Sequence, residues 1–394
     1  MQFSFPLDRK TVEPILNSRI PNFDVASIRQ VVLLVDELQN KTGTRFLRME
    51  FGNPGLLPPP LALETEVKAT RSPEIISNYT PINGLPVLKV AAERFLKTFL
   101  NVEIPESCII PTVGSMQAAL LTQSVVMHLK ENKRKILFVD PCFSVHRAQA
   151  KFLGVEEVSV DLYDRKNWLS TVEAEFKKGE IGGILYSTPN NPTWMILTEM
   201  ELVALADLCL RYDVIPIEDA AYLGMDARKD YSKPNVPPFV PTILKYTGRA
   251  ILLLTASKMF SLAGHRIGLA AITPALAEKT YRSLEKRFGY ERFIDALVMC
   301  GVYGTTSGAS AVPQLVFARM LEACTNGEFN FWEYTREYSH RSRAMKKALL
   351  RNGFELTYKD DVGVPVSDGL MFTFSYPGLT GAELARELIY FGIS

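Results

Sequence analysis

From about residue 110 the chain alternates short apolar runs with stretches of helical period. "KILFVD" (135–140), "VEEVSV" (155–160), "IGGILYS" (181–187), "VIPIED" (214–219), "AILLLT" (250–255) and "RIGLAAI" (266–272) read as strands. "SMQAALLTQSVVMHLK" (115–130), "HRAQAKFLG" (146–154), "LSTVEAEFKKG" (169–179) and "TEMELVALADLCLRYD" (198–213) read as helices. Strands that are apolar throughout, rather than on alternate residues, must be covered on both faces. With helices between them, they demand a mostly parallel sheet. The expected fold class is therefore α/β: a mostly parallel central sheet with helices on both faces, plus a smaller α+β domain.

The smaller domain is read from a change of character after about residue 275, where long charged helices such as "TREYSHRSRAMKKALLRNG" (335–353) lead to one late strand, "LMFTFSY" (370–376). Residues 24–41 form an amphipathic helix starting near Asp24 or Ser27. That helix joins the C-terminal part, since chain ends often lie together. The expected domains are 46–280 (large) and 1–45 with 281–394 (small), the C-terminal part of the latter reading as incomplete.

Composition excludes several classes. Lys plus Arg number 44 and Asp plus Glu 43, so no basic surface suits nucleic acid or an anionic membrane. Apolar runs of about six to eight residues are too short to span a bilayer, and "MQFSFPLDRKTVEP" lacks the apolar stretch of a signal peptide. Five scattered cysteines without a CxxC fit reduced thiols in a cytoplasm. Four histidines without ligand spacing argue against a bound metal. There is no GxGxxG, GxxxxGK[ST] or GxSxG.

In open parallel sheets ligands bind at the carboxyl ends of the strands. Those ends carry Gly114-Ser115-Met116, Phe143 and His146, "PNNP" with Asn191, Asp219 with Tyr222, and "TASK" with Thr255, Ser257 and Lys258; Arg266 follows eight residues on. A lysine, an acid, an aromatic ring, an asparagine, a tyrosine, an arginine and a Gly-Ser turn opening a helix together suit pyridoxal 5′-phosphate.

The ordered set "NYTPINGLP", "GSMQA", "PNNPT", "EDAAY" and "SKMFSLAGHRIG" closely resembles the fold-type-I pyridoxal-phosphate aminotransferases (class I/II, the aspartate aminotransferase superfamily), from "FGNPG" to about "GLMFTFSYPG". The resemblance implies that Lys258 forms the internal aldimine and, once freed, moves a proton. Asp219 would pair with the pyridine nitrogen, and His146 would orient Asp219 from behind. Asn191 and Tyr222 would bond the 3′ oxygen, and Phe143 would stack on the ring. Gly114, Ser115, Met116, Thr255, Ser257 and Arg266 would hold the phosphate. Tyr79 would reach the phosphate of a neighbouring subunit, which implies a homodimer with shared sites. The arginine that usually binds the substrate α-carboxylate falls beyond Ser394, leaving the Gly52 backbone N–H as a candidate.

The implied reaction moves an amino group between an L-amino acid and a 2-oxo acid. A C–S lyase or related elimination enzyme stays open, because the same electron sink serves several fates of the Cα carbanion. A non-catalytic regulator built on the same domain is the third class. Between Arg292 and Arg319 the chain has no arginine to receive a side-chain carboxylate, and Tyr303 stands in that stretch. Neutral or aromatic side chains should therefore be accepted at least as well as aspartate.

Overall fold

Seven strands form one sheet in the order β1-β7-β6-β5-β4-β2-β3. They are β1 (Ile109–Thr112), β2 (Lys135–Asp140), β3 (Glu157–Asp161), β4 (Ile181–Ser187), β5 (Ile215–Asp219), β6 (Ile251–Thr255) and β7 (Gly268–Ile272). A computed structural model of the chain describes residues 6–50 and 52–394. β3, β2, β4, β5 and β6 are mutually parallel, and β7 runs antiparallel between β6 and β1. Every residue of β4, β5, β6 and β7 is buried, as expected of strands covered on both faces.

The register sets what stands at the carboxyl edge. Ser187 pairs with Asp219, Asp219 with Leu253, and Thr255 with Gly268, while Thr112 faces Gly268 from the other side. Because β7 is antiparallel, its first residue, not its last, reaches this edge. The turn after β1, the lysine turn after β6 and the start of β7 are thereby neighbours.

The chain divides into two compact units: Met1–Asn53 with Arg341–Lys359 and Leu370–Ser394, and Pro54–His340 with Asp360–Gly369. The boundary expected at residue 280 differs from this division, because 281–340 belongs to the larger unit. The reason is apolar packing. Phe331 meets Phe95 at 6.0 Å and Phe99 at 5.2 Å, and Phe260 meets Phe317 at 6.2 Å and Phe329 at 5.9 Å. A buried phenylalanine contributes roughly 1.5–3 kcal/mol, which outweighs the charged residues that suggested a separate domain.

In the smaller unit, Ser27 caps the helix Ile28–Thr42 in a reciprocal pair with Gln30. That helix shares a core with Leu16, Phe46, Ile389 and Tyr390. The late strand is shorter than its sequence suggests. Only Phe374–Ser375 pair as a strand, with Glu355–Leu356, and beyond them the Thr357 N–H donates to the Thr373 carbonyl at 3.1 Å. The five cysteines form no disulfide. Among the described residues no helix is long and apolar enough to cross a membrane, and no cluster could hold a metal.

Candidate active site

The site is built from the turns at the carboxyl edge of the sheet. After β1, Gly114 adopts φ +71° and opens the helix Gly114–Val126. The first amides of a helix have no intrahelical partner and favour an anion. Here the turn is held open by side chains: the Thr112 hydroxyl donates to the Gly114 carbonyl at 3.0 Å, and the Val113 N–H donates to Gln117 at 2.7 Å. The Arg266 guanidinium lies across this turn. A Cβ on Gly114 would stand 2.7 Å from its Nη2. A Cβ on Gly268 would stand 2.6 Å from the Ser115 nitrogen. Both glycines are therefore required for the arginine, the helix start and β7 to share one place.

Arg266 itself is left-handed, φ +50°, and its Nη1 donates to the Ala263 carbonyl at 2.9 Å. It remains exposed, so its fork retains donors for a ligand. After β6, the Thr255 hydroxyl donates to the Ile267 carbonyl at 3.0 Å and accepts the Ser257 N–H at 3.2 Å. Thr255 thus spends its hydrogen on structure. The Ser257 hydroxyl, 2.9 Å from Thr255, is therefore the donor of that pair.

Lys258 sits on the short helix Ala256–Met259, half-buried. Burial and, secondly, the nearby Arg266 charge lower its amine to about 8. Both effects penalise the ammonium form, so an amine that is ordinarily charged becomes available as a nucleophile and base near neutral pH.

Asp219 ends β5, 5 % exposed. His146 Nε2 stands 2.9 Å from its Oδ2, and the Ala221 N–H donates to Oδ1 at 3.1 Å. His146 is itself buried on the helix Ser144–Phe152, with Nδ1 3.5 Å from the Gln149 Oε1. Gln149 donates through Nε2 to the Met116 carbonyl at 2.8 Å and accepts from Gln123 at 3.1 Å. The Gly114 turn and the Asp219 side are thus joined through one glutamine, which the sequence reading missed. Its only signal was a polar residue one helical turn after His146. Phe143 precedes the helix, half-buried, its ring 5.4 Å from that of His146 and nearly perpendicular.

Within "PNNP" the two asparagines divide the work. Asn190 is wholly buried, donates to the Pro141 carbonyl at 3.0 Å and accepts from Thr193. Asn191 instead donates through Nδ2 to the Tyr222 hydroxyl at 3.0 Å. Burial pushes the Tyr222 phenol above its usual range, with Asp219 adding to the effect. Trp194 packs its ring 5.2 Å from Tyr222. It too went unnoticed in the sequence.

A basic cradle at a helix start, a buried carboxylate backed by a histidine, and a lysine with a lowered amine fit pyridoxal phosphate. The match to known proteins carries the same sense. Residues 45–389 match the family model for aminotransferase class I and II. The chain belongs to that family.

Among relatives of this aminotransferase, a probable aspartate aminotransferase of Methanocaldococcus jannaschii is 25 % identical over 381 residues, covering 95 % of this chain and 88 % of the relative. The aromatic-amino-acid aminotransferase 2 of Thermococcus litoralis is 28 % identical over 212 residues, 52 % of either chain. A single mutant of Thermus thermophilus aspartate aminotransferase superposes with a TM-score of 0.73 at 18 % identity, covering 94 % of this chain and 88 % of that one. The chain is a fold-type-I transaminase, of a family that uses pyridoxal phosphate.

Tyr79 is 92 % exposed on the single chain. Gly52 lies on the exposed surface of the smaller unit.

Proposed function

We propose that this aminotransferase binds pyridoxal 5′-phosphate on Lys258 and moves an amino group between an L-amino acid and a 2-oxo acid, with neutral or aromatic side chains accepted at least as well as aspartate. The observation that carries the reading is the half-buried Lys258 amine, lowered to about 8, on the turn next to Arg266 and one strand over from Asp219. When bound, the cofactor supplies an electron sink for negative charge at the substrate Cα.

The chain's own residues do the rest. The amides of Ser115 and Met116, the Ser257 hydroxyl and the Arg266 fork hold the phosphate. Asp219, fixed by His146 and the Ala221 amide, accepts the pyridine N–H and keeps that proton in place. Asn191 and Tyr222 present a donor pair to the 3′ oxygen, and Phe143 covers the ring face. Lys258 Nζ, once free and neutral, takes the proton from the substrate Cα and returns it. Tyr79 serves the phosphate site of a second copy, so the active form is a homodimer. Gly52 offers its N–H to the substrate carboxylate.

The side-chain preference rests on the 292–319 stretch, which carries no arginine between its ends. A buried carboxylate without a cationic partner loses several kcal/mol. Mixing the enzyme with a panel of L-amino acids and following the cofactor absorbance tests this. Aromatic and neutral amino acids are expected to convert it to the pyridoxamine form at least as fast as aspartate does. A strong preference for aspartate sinks the specificity argument, and release of pyruvate and ammonia without that conversion moves the enzyme to the lyases. For the dimer, sedimentation should show a dimer; a fully active monomer contradicts it.

A further inference from the structure

The amino edge of the sheet, opposite the edge that carries Asp219 and Lys258, gathers four cations around one carboxylate. Lys133, Asp213 and Arg249 each stand two residues before a parallel strand, β2, β5 and β6 respectively. Asp213 pairs with both the Lys130 ammonium and Arg249 Nη1. Lys133 Nζ donates to the Tyr212 and Asp213 carbonyls, which bind the ammonium without cancelling its charge. The fourth cation, Lys279, lies 5.4 Å over the Tyr281 ring, whose hydroxyl is 3.4 Å from Arg249 Nη2. Among the described residues Asp213 is the one acid paired with any of the four.

Lys135, at the start of β2, shows how a lysine is otherwise treated at this edge. It pairs with Glu156 at 3.2 Å and Glu180 at 3.0 Å, and these partners favour its ammonium form. In the cluster the balance is reversed. Burial first, and then the neighbouring cations, disfavour the charged forms of Lys130, Lys133 and Lys279.

Two further observations point to a ligand. Lys130, Lys133, Asp213 and Arg249 line a pocket, with Leu129 and Ile215 in its apolar wall. Its interior has room for a water-sized group and its mouth opens to solvent, so one atom of a ligand can enter while the rest stays outside. A cleft of one sign of charge with apolar walls concentrates counter-ions. In addition, Arg249 Nε is buried and has no hydrogen-bond partner, whereas buried polar groups are nearly always satisfied.

We propose that this pocket is a second ligand site of the chain and binds a phosphate group: one oxygen enters against Arg249, and Lys130, Lys133 and Lys279 surround the rest. Four cations against one carboxylate leave an excess of three positive charges, which suits a dianion. An arginine beside lysines is a donor set that phosphate takes. The group is free phosphate or the terminal phosphate of a nucleotide. The site is separate from the Arg266 cradle, since β6 runs between Arg249 and Lys258, so both can be filled in one chain.

The test is equilibrium dialysis of the holoenzyme, its cofactor cradle filled, against ³²P-labelled inorganic phosphate. Ionic strength is fixed at about 0.1 M, where exposed charges are screened beyond about 10 Å. One labelled phosphate per chain is expected to bind. Lys279→Gln removes an exposed cation that has no ion pair, and Arg249→Lys keeps the charge but removes Nε–H. Each is expected to weaken phosphate about tenfold, as loss of a bond to a charged group does. Lys97→Gln removes a lysine already paired with Glu103 and should leave phosphate affinity within about twofold. ADP is expected to displace the label and adenosine is not. Displacement by less ADP than unlabelled phosphate assigns the group to a nucleotide, and the reverse order assigns it to the free anion.

No bound label overturns the proposal, as does binding that Lys279→Gln and Arg249→Lys leave unchanged. Binding weakened equally by Lys97→Gln also overturns it, because the label then follows surface charge in general.

Discussion

Glu218 and Asp219 are consecutive, both on β5 and both buried, yet the two faces of the sheet treat them differently. Successive strand residues point to opposite faces. Glu218 enters a closed polar pocket, accepting from the Tyr186 hydroxyl at 3.0 Å, the Ile243 amide at 2.8 Å and the Thr242 hydroxyl at 3.3 Å. Burial pushes its carboxyl up to about 7. Asp219 faces a histidine ring at 2.9 Å and stands at the edge where the other site residues gather. Burial alone does not tell the two carboxyls apart, for both have it. What differs is the partner and the open side.

The largest consequence is in turnover. Asp219→Asn is expected to retain cofactor but lose transamination by about 10²-fold or more, whereas Glu218→Gln should stay within a few-fold of the parent. Steady-state rates on the best substrate decide it, and equal losses would erase the distinction between the two faces.

Removing the histidine sharpens the same point. His146→Phe leaves Asp219 without its ring-nitrogen partner and is expected to cost roughly 10- to 100-fold, as loss of an orienting partner typically does. The visible absorbance of the bound cofactor should change its pH dependence as well. A rate loss with an unaltered spectrum-versus-pH curve would mean His146 only supports the fold.

A smaller effect separates the neighbours at the lysine. In apoprotein the rate of cofactor capture needs the neutral Lys258 amine, so it should rise with pH and level off above about 8. Arg266 disfavours the charged amine, so Arg266→Ala should shift that profile to higher pH. A profile that does not move would leave burial as the whole cause.

The smallest effect concerns stability at Glu218. Its carboxyl is raised from 4.5 to about 7, so the folded state holds the proton longer than the unfolded chain does. The stability this contributes is full below pH 4.5 and is lost as pH rises through about 7, a change of about 3 kcal/mol. Urea unfolding of parent and Glu218→Gln across this range should show the slope in the parent and its reduction in the variant. Parallel curves would count against the closed pocket.

The sequence made the sheet legible because strands buried on both faces are apolar along their length, as in "AILLLT" and "IGGILYS". It made the edge residues legible because Asp219 ends such a strand, Asn191 and Lys258 follow one closely, and Arg266 stands just before the strand that begins at Gly268. Other features depend on contacts between distant segments. Nothing near residue 331 announces that its ring meets Phe95 and Phe99. Gln149 gains meaning only when Met116 and His146 flank it. The left-handed Trp194 backbone is set by Asn190 and Met195 pairing across a loop, which no residue type encodes.

The central claim is that Lys258 carries the cofactor. Borohydride reduction of the holoenzyme, proteolysis and mass analysis test it most directly. One modified peptide is expected, containing Lys258 and carrying the pyridoxyl phosphate mass. Modification of a different lysine, or a colourless protein that takes up no pyridoxal phosphate, would contradict the account.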